Sequence, residues 1–439
     1  MTNRRGVGEV SSPETQAMSN PVNLDTYDPM DREVQQCPFD HYAALQAEGP
    51  VFFHEQSEMY FISRHDVLID VIRDTETFSS ESSNKKTVGS PESTARVNEI
   101  LATGWPRKET LLTVDPPLQT RYRKLVAKTF SARRIAGLED MVREITVELI
   151  AEFPDKGPID FHAAFGLALP VRVIQRALNM GPETLGKIKV WSDAANVALG
   201  VQPSDEARYE AAQHIVDMQQ HFHQEYEDRL LNPVGDILSE LAHADFNDPD
   251  LPDAETRKLE FAEVFGIVRQ LMVAGNETTA KFLNETMRLL VDNPERWHQL
   301  EDDPDGVVLG LVEEGLRLSS PNQGLFRQVT RDTELHGVSI PKGARLWLIF
   351  AAANRDEDVF ADSASFDPTR ENLKEHVAFG KGHHFCIGAP LSRLEGRVAF
   401  EELVKRIELP AFSEGNTFEY EPSYVMRGLA QLDLDIEKR

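Results

Sequence analysis

Residues 379–388 read FGKGHHFCIG, and no other stretch restricts the possible folds of this chain so strongly. Three glycines, Gly380, Gly382 and Gly388, surround Cys386 immediately before a segment of helical spacing, Ala389 to Ile407. Glycine permits tight bends and the close approach of a bulky ligand, and the unpaired amide donors at a helix start favour a thiolate over a thiol. The pattern predicts that Cys386 is an anion facing a large group. A buried structural cysteine is the plainer alternative, but it leaves the glycines and the helix start without a purpose.

Charge and composition narrow the partners. The net charge of −27 repels nucleic-acid phosphates and anionic lipid, so neither is an expected partner. No apolar run approaches the roughly 18 residues of a membrane span, and the first residues, MTNRRGVGEVSSPETQ, hold no apolar signal region. A cytoplasmic protein is expected. Cys37 and Cys386 lie far apart and outside any CxxC pair, which excludes a disulfide framework and fits a reducing compartment. Residues 1–27, polar and containing Pro13 and Pro21, read as a flexible arm; residues 28–439 read as a single domain.

Hydrophobic periodicity sets the order of elements. Val51 to Arg64 alternates around a polar tip and predicts a hairpin, followed by a short helix over Asp66 to Arg73. From about Gln119 to Leu300 helical spacing dominates, and Arg257 to Asp292 predicts one helix of about ten turns. Its middle, AGNETTA at 274–280, breaks the propensity: glycine and two adjacent threonines are poor helix formers, and a Thr hydroxyl can bond back to the i−4 carbonyl. Such a weak point is either a functional site or a plain structural kink. A helix over Asp305 to Leu318 leads into strands around Gly324 to Gln328, Thr333 to Ile340 and Leu346 to Ala351. Residues 354–385 are irregular, and Thr417 to Ile436 reads as a hairpin. The fold class is mainly α with small β-sheets.

The cysteine segment resembles the F-G-x-G-x-H-x-C-x-G fingerprint of the cytochrome P-450 family of haem-thiolate monooxygenases, matching every fixed position. Two further motifs follow the family pattern: Ala274-Gly275-Asn276-Glu277-Thr278-Thr279 resembles A/G-G-x-D/E-T-T, and Glu314-Gly315-Leu316-Arg317 is an E-x-x-R. The resemblance covers about residues 28 to 435. It implies a helix-rich lobe and a smaller β-rich lobe around a buried haem b (iron protoporphyrin IX), with Cys386 as the iron ligand, Phe379 beside the thiolate and Gly388 next to it. His384, Arg123 and Arg327 would bind the haem propionates. Gln119 stands where many relatives carry a propionate-binding histidine in D-P-P-E-H-T-R. Ala274 and Gly275 would leave room over the iron, Glu277 would feed a proton relay, and Thr278 would serve dioxygen activation. Glu314, Arg317 and Arg370 would form a buried structural cluster.

The same resemblance places Gln270, Ala274, Gln323, Leu325, Val425 and Met426 against the substrate, under a lid formed by residues 82–112, with Trp105, and the turn near 195–204. An apolar wall with two amides suits a hydrophobic small molecule with one polar group, of terpenoid, steroid or fatty acyl type. The chain is too short for a fused reductase and has no G-x-G-x-x-G loop, so a ferredoxin or flavodoxin and its reductase are the expected electron partners of a monomer. Arg121, Arg123, Lys124, Lys128, Arg133 and Arg134, extended by Lys381 and Arg393, form a basic island for that docking. A peroxide-driven enzyme of the same fold, a haem sensor without turnover and, remotely, a cysteine hydrolase using His383 or His384 are the alternatives.

Overall fold

A computed structural model describes residues 22–81, 89–197, 203–247 and 256–439. The long helix occupies Phe261–Asp292 and passes through the molecule. It starts where Glu260 and Glu263 cap each other reciprocally, and it ends at Asn293, whose amide bonds Leu289 O before Pro294 opens the next helix. Its first half supplies Val264, Ile267, Val268 and Met272 to one apolar cluster, and its second half supplies Phe282, Leu283, Met287 and Leu290 to another. Phe282 and Met287 are wholly buried, each worth about 1.5–3 kcal/mol of transfer free energy. The weak AGNETTA stretch does not break the helix, since packing overrides propensity there; Thr278 Oγ1 does donate back to Ala274 O, at 2.7 Å.

The β-rich part is a five-stranded sheet in the order Phe52–His54, Met59–Ile62, Arg345–Leu348, Leu325–Val329, Phe78–Ser79. The early hairpin therefore joins the late strands, through a parallel pairing of Met59–Ile62 with Arg345–Leu348. The segment expected as a strand to Ala351 turns at Ile349 into one helical turn, Phe350–Ala353. Two other expectations are corrected. The tail is a hairpin only in part: Tyr420 bridges Leu429 in antiparallel fashion, while Asp433–Glu437 pairs with Ala411–Phe412 and with Lys156–Asp160, a strand inside the segment read as helical. KGPID carries glycine and proline, so only its distant partner makes it a strand. Ordered contacts also begin before Asp28, because Tyr27 is buried and stacks on His41; residues 1–21 of the expected arm lie outside the described residues. Among the described residues no helix is long and apolar enough to cross a membrane.

The helix Pro304–Ser319 carries Glu314 and Arg317 on one buried face, both with no exposed surface. Arg317 donates to both Glu314 oxygens, at 2.7 and 2.8 Å, and to the carbonyls of Asn354, Ser363 and Ser365. Arg370 Nε closes the cluster on Glu314 Oε1 at 3.1 Å. Every charge here has a partner, which is the condition for burying it. Glu314→Ala is expected to leave Arg317 buried without a counter-charge and to destabilise the fold by about 3–5 kcal/mol. Chemical denaturation would measure it; a loss under 1 kcal/mol would mean that the cluster does not hold the core.

Candidate active site

The cysteine loop folds tightly because Gly380 and Gly382 take left-handed conformations, φ +64° and +68°, which strain any residue with a Cβ. Cys386 N donates to Phe379 O at 2.9 Å, closing the loop ahead of the helix Ala389–Arg406. Phe379 packs edge-on to Phe385 and carries the Arg393 guanidinium over its ring, 4.7 Å from the centroid. At Gly388 an added Cβ would lie 3.8 Å from the sulfur. The amides of Gly388 and Ala389, with Arg123 and Arg393, favour the anion at Cys386, but burial is the larger effect and pushes the thiol upward. The helix start and the two guanidiniums thus work against burial at this sulfur. A bound metal cation is what would remove that proton.

The expected propionate residues converge on the same loop. Gln119 Nε2 donates to His383 O at 2.7 Å, and Arg123 donates to Phe385 O at 2.7 Å and His383 O at 3.3 Å. Both sit on the helix Leu118–Ala127 and fasten the loop from outside. His384 Nε2 lies 3.1 Å from Ser80 Oγ. Burial, with Arg327 next in effect, pulls this imidazole down to about 4, so it is neutral at pH 7. Arg327 is 6% exposed, donates to Phe326 O at 2.7 Å, and has no ion pair among the described residues. Asp115 attracts it, but that carboxylate accepts from Ser79 Oγ at 2.5 Å and Ser80 N at 2.9 Å. A buried guanidinium lacking a carboxylate, beside a neutral imidazole, fits the donor set a haem propionate requires.

The long helix forms the facing wall. Within a helix that is otherwise mostly buried, Ala274 is exposed and Gly275, Glu277 and Thr278 are half-buried, so its middle opens on a free space. Thr279 Oγ1 donates to Ser392 Oγ at 3.3 Å, tying this window to the helix that follows Cys386. Asn196 Nδ2 donates to Glu277 Oε2 at 2.9 Å. Burial raises the Glu277 carboxyl above its usual range, a shift that Glu421 reinforces and Lys281 opposes. The residues fit a haem between the sulfur and the helix window.

Part of the expected substrate wall is elsewhere. Gln323 is 2% exposed, accepts from Tyr42 OH at 3.0 Å and donates to Ser320 O at 2.6 Å, so its amide is not available to a ligand. Val425 belongs with Tyr42 and Trp347 to an apolar cluster beneath the sheet. Gln270 donates to Thr110 Oγ1 at 2.9 Å and accepts from Leu112 N at 3.2 Å, which makes it a brace for the lid segment rather than a substrate contact. The two-amide wall is thus withdrawn, because both amides satisfy protein partners. Leu325 and Met426 stay half-buried. Trp105 stacks on His223 at 4.3 Å and sits edge-on to Phe261 at 4.8 Å, anchoring the lid to the helix Asp205–Leu231; residues 82–88 and 198–202 of the expected lid lie outside the described residues. Sequence reasoning assigned no role to Ser80, to Asp115, the first residue of the DPPLQTR segment, or to Asn196, which lies in the turn expected as lid.

The basic island is smaller than expected. Lys124, Lys128 and Arg133 are exposed, whereas Arg121 bonds Asn247, Arg134 pairs with Glu240 at 2.7 Å, Lys381 lies 3.8 Å from Glu375 and Arg393 grips Glu313 at 2.5 Å. Lys128 and Arg133 line a surface concavity of about 420 Å³.

Comparison with known proteins converges on the same fold. A profile described as Cytochrome P450 matches residues 188–427. Cytochrome P450 107B1 of Saccharopolyspora erythraea is 33% identical over 324 residues, 73% of this chain and 76% of that one. Linalool 8-monooxygenase of Pseudomonas putida is 30% identical over 392 residues, 86% of this chain and 92% of that one. The structure of CYP109E1 from Bacillus megaterium in complex with testosterone superimposes with a TM-score of 0.78 at 27% identity, covering 92% of this chain and 99% of that one. By the profile match and these relatives, this chain belongs to the cytochrome P450 family and is a haem-iron monooxygenase.

Proposed function

We propose that the enzyme inserts one oxygen atom of dioxygen into a hydrophobic small molecule of terpenoid, steroid or fatty acyl type, on haem b ligated by Cys386, as a cytoplasmic monomer served by a ferredoxin or flavodoxin and its reductase. The observation that carries this reading is the acid and alcohol, Glu277 and Thr278, at the one opened stretch of the long helix. Haem bound there would supply the oxidising chemistry, and a thiolate from Cys386 would favour O–O cleavage. Arg327, His384 and Arg123 would hold the propionates. Glu277, whose carboxyl burial raises above its usual range and which Asn196 orients, is the acid of the proton relay. The Thr278 hydroxyl, which donates to Ala274 O, can both accept and donate a hydrogen bond. A peroxide-driven enzyme has no need for such a pair. The relative acting on linalool and the neighbour holding testosterone support a hydrophobic substrate.

Replacing Cys386 with Ala is expected to abolish the strongly red-shifted Soret band of the reduced carbon monoxide complex; a variant that keeps it would remove Cys386 from iron. Thr278→Ala is expected to retain substrate binding and electron uptake while releasing peroxide, so product formed per NAD(P)H consumed should fall at least severalfold. Unchanged coupling would take Thr278 out of the mechanism. For electron entry, Lys124, Lys128 and Arg133, exposed and without an ion pair among the described residues, are the docking charges, acting within a Debye length of about 8 Å. Reversing Lys124 or Lys128 to Glu is expected to slow ferredoxin-dependent reduction severalfold, more at low salt. Stopped-flow reduction rates that ignore both the reversals and the salt would place the partner on another face.

A further inference from the structure

Arg393 stands beside the cysteine loop with no part in the chemistry above. It lies one helical turn after Ala389, the first residue of the helix Ala389–Arg406. From this half-buried position its guanidinium turns onto the face of Phe379, 4.7 Å from the ring centroid. That ring belongs to the loop itself: Phe379 O accepts from Cys386 N at 2.9 Å, and the ring packs edge-on to Phe385. Arg397 and Arg406 on the same helix pair with glutamates, and among the described residues Arg393 alone of the three lies over an aromatic ring.

The guanidinium is held there by Glu313 of the helix Pro304–Ser319. Arg393 Nε donates to Glu313 Oε1 at 2.5 Å and Nη2 to Oε2 at 2.8 Å, a two-pronged grip that fixes the plane of the fork. His376 Nε2 lies 2.8 Å from the same Oε2. Its other nitrogen, Nδ1, accepts from Ala378 N at 3.2 Å, so the proton sits on Nε2, and the imidazole lies 6.0 Å from the Phe379 ring. Glu313 thus fixes two neighbours of Phe379 at once. Burial works against its carboxylate, but the bonds from Arg393 and His376 bring the group down to about 2, so the grip persists at neutral pH.

Burial opposes the anion at Cys386 most strongly, while the amides of Gly388 and Ala389, then Arg123 and Arg393, favour it. An aromatic ring screens a charge far less than water does, so a guanidinium fixed over Phe379 acts on the sulfur more strongly than one free in solvent. A fixed cation beside a thiolate-ligated iron favours the state that carries more negative charge, and reduction adds one electron. We propose that Arg393 raises the reduction potential of iron ligated by Cys386, easing acceptance of the first electron from the ferredoxin or flavodoxin, and that Glu313 is the positioning residue that keeps the guanidinium over Phe379. This rests on ligation by Cys386. It gives Arg393 a role other than the docking expected from sequence, and neither residue takes part in oxygen chemistry.

The test uses the haem-loaded enzyme, after its reduced carbon monoxide spectrum has established thiolate ligation; a missing red-shifted band counts against Cys386 as ligand, not against Arg393. Anaerobic spectroelectrochemical titration without substrate then reads the ferrous-to-ferric ratio at the potential where the wild type is half reduced. Arg393→Gln is expected to lower that ratio about tenfold, about 59 mV for one electron. Arg393→Lys, which keeps the charge, should retain most of it. Glu313→Gln removes a negative charge and should move the ratio the other way, upward. In Arg393→Gln the C–O stretch of the carbon monoxide complex should also fall, because a less stabilised thiolate releases more electron density to iron. A ratio unmoved in Arg393→Gln would overturn the assignment and leave the pair a structural brace between two helices. A ratio moved in the same direction by both single variants would overturn it too, as the mark of lost packing rather than of charge. If Arg393→Gln fails to take up haem, the double variant Arg393→Gln/Glu313→Gln should give a lower ratio than Glu313→Gln alone, and equal ratios would reject the proposal.

Discussion

The buried ion cluster of Glu314, Arg317 and Arg370 is the interaction on which the position of the thiol depends. Arg317 reaches the carbonyl of Asn354, and Asn354 Oδ1 in turn accepts from Val377 N at 2.6 Å. Val377 O accepts from Gly380 N at 2.8 Å, and Phe379 O accepts from Cys386 N. An unbroken chain of hydrogen bonds thus runs from a helix in the core to the sulfur-bearing loop. Residues 354–385 have little regular structure of their own, so their conformation is set by carbonyls gathered round one guanidinium. Such a segment would be poorly defined without that centre, because its backbone groups have no ladder to join.

The opposite wall works by a different principle. The helix Phe261–Asp292 is stabilised at its two ends by separate apolar clusters, which lets its middle tolerate a glycine, two threonines and a window of exposed surface. Rigid ends support an open centre. The Thr279–Ser392 contact then ties that centre to the helix after Cys386, so the distance between acid–alcohol pair and sulfur is set by packing of two helices rather than by loops.

Burial governs the protonation of the groups lining this space, and it acts in opposite senses. It raises Glu277 and the Cys386 thiol, and it lowers His384, so in each case the neutral form is favoured. Arginine resists the same pressure, since burial brings Arg327 only to about 10. The interior therefore combines groups pushed toward their neutral forms with one buried cation, Arg327.

The sequence by itself determined the chemistry-bearing residues, because Cys386, Glu277, Thr278, Glu314 and Arg317 lie in short motifs whose spacing is set by a helix turn or a tight loop. It also determined the long helix and the early hairpin, whose periodicity is local. What lines the substrate space was decided by tertiary structure alone. Gln270 and Gln323 carry free amides on paper, and only the fold brings Thr110, Leu112, Tyr42 and Ser320 to occupy them. The strand Lys156–Asp160 exists because Asp433–Glu437, far along the chain, supplies its ladder. Asn196 meets Glu277 across 81 residues. A hydrogen bond is directional and is satisfied by whichever group arrives, so its partner is a property of the packed molecule.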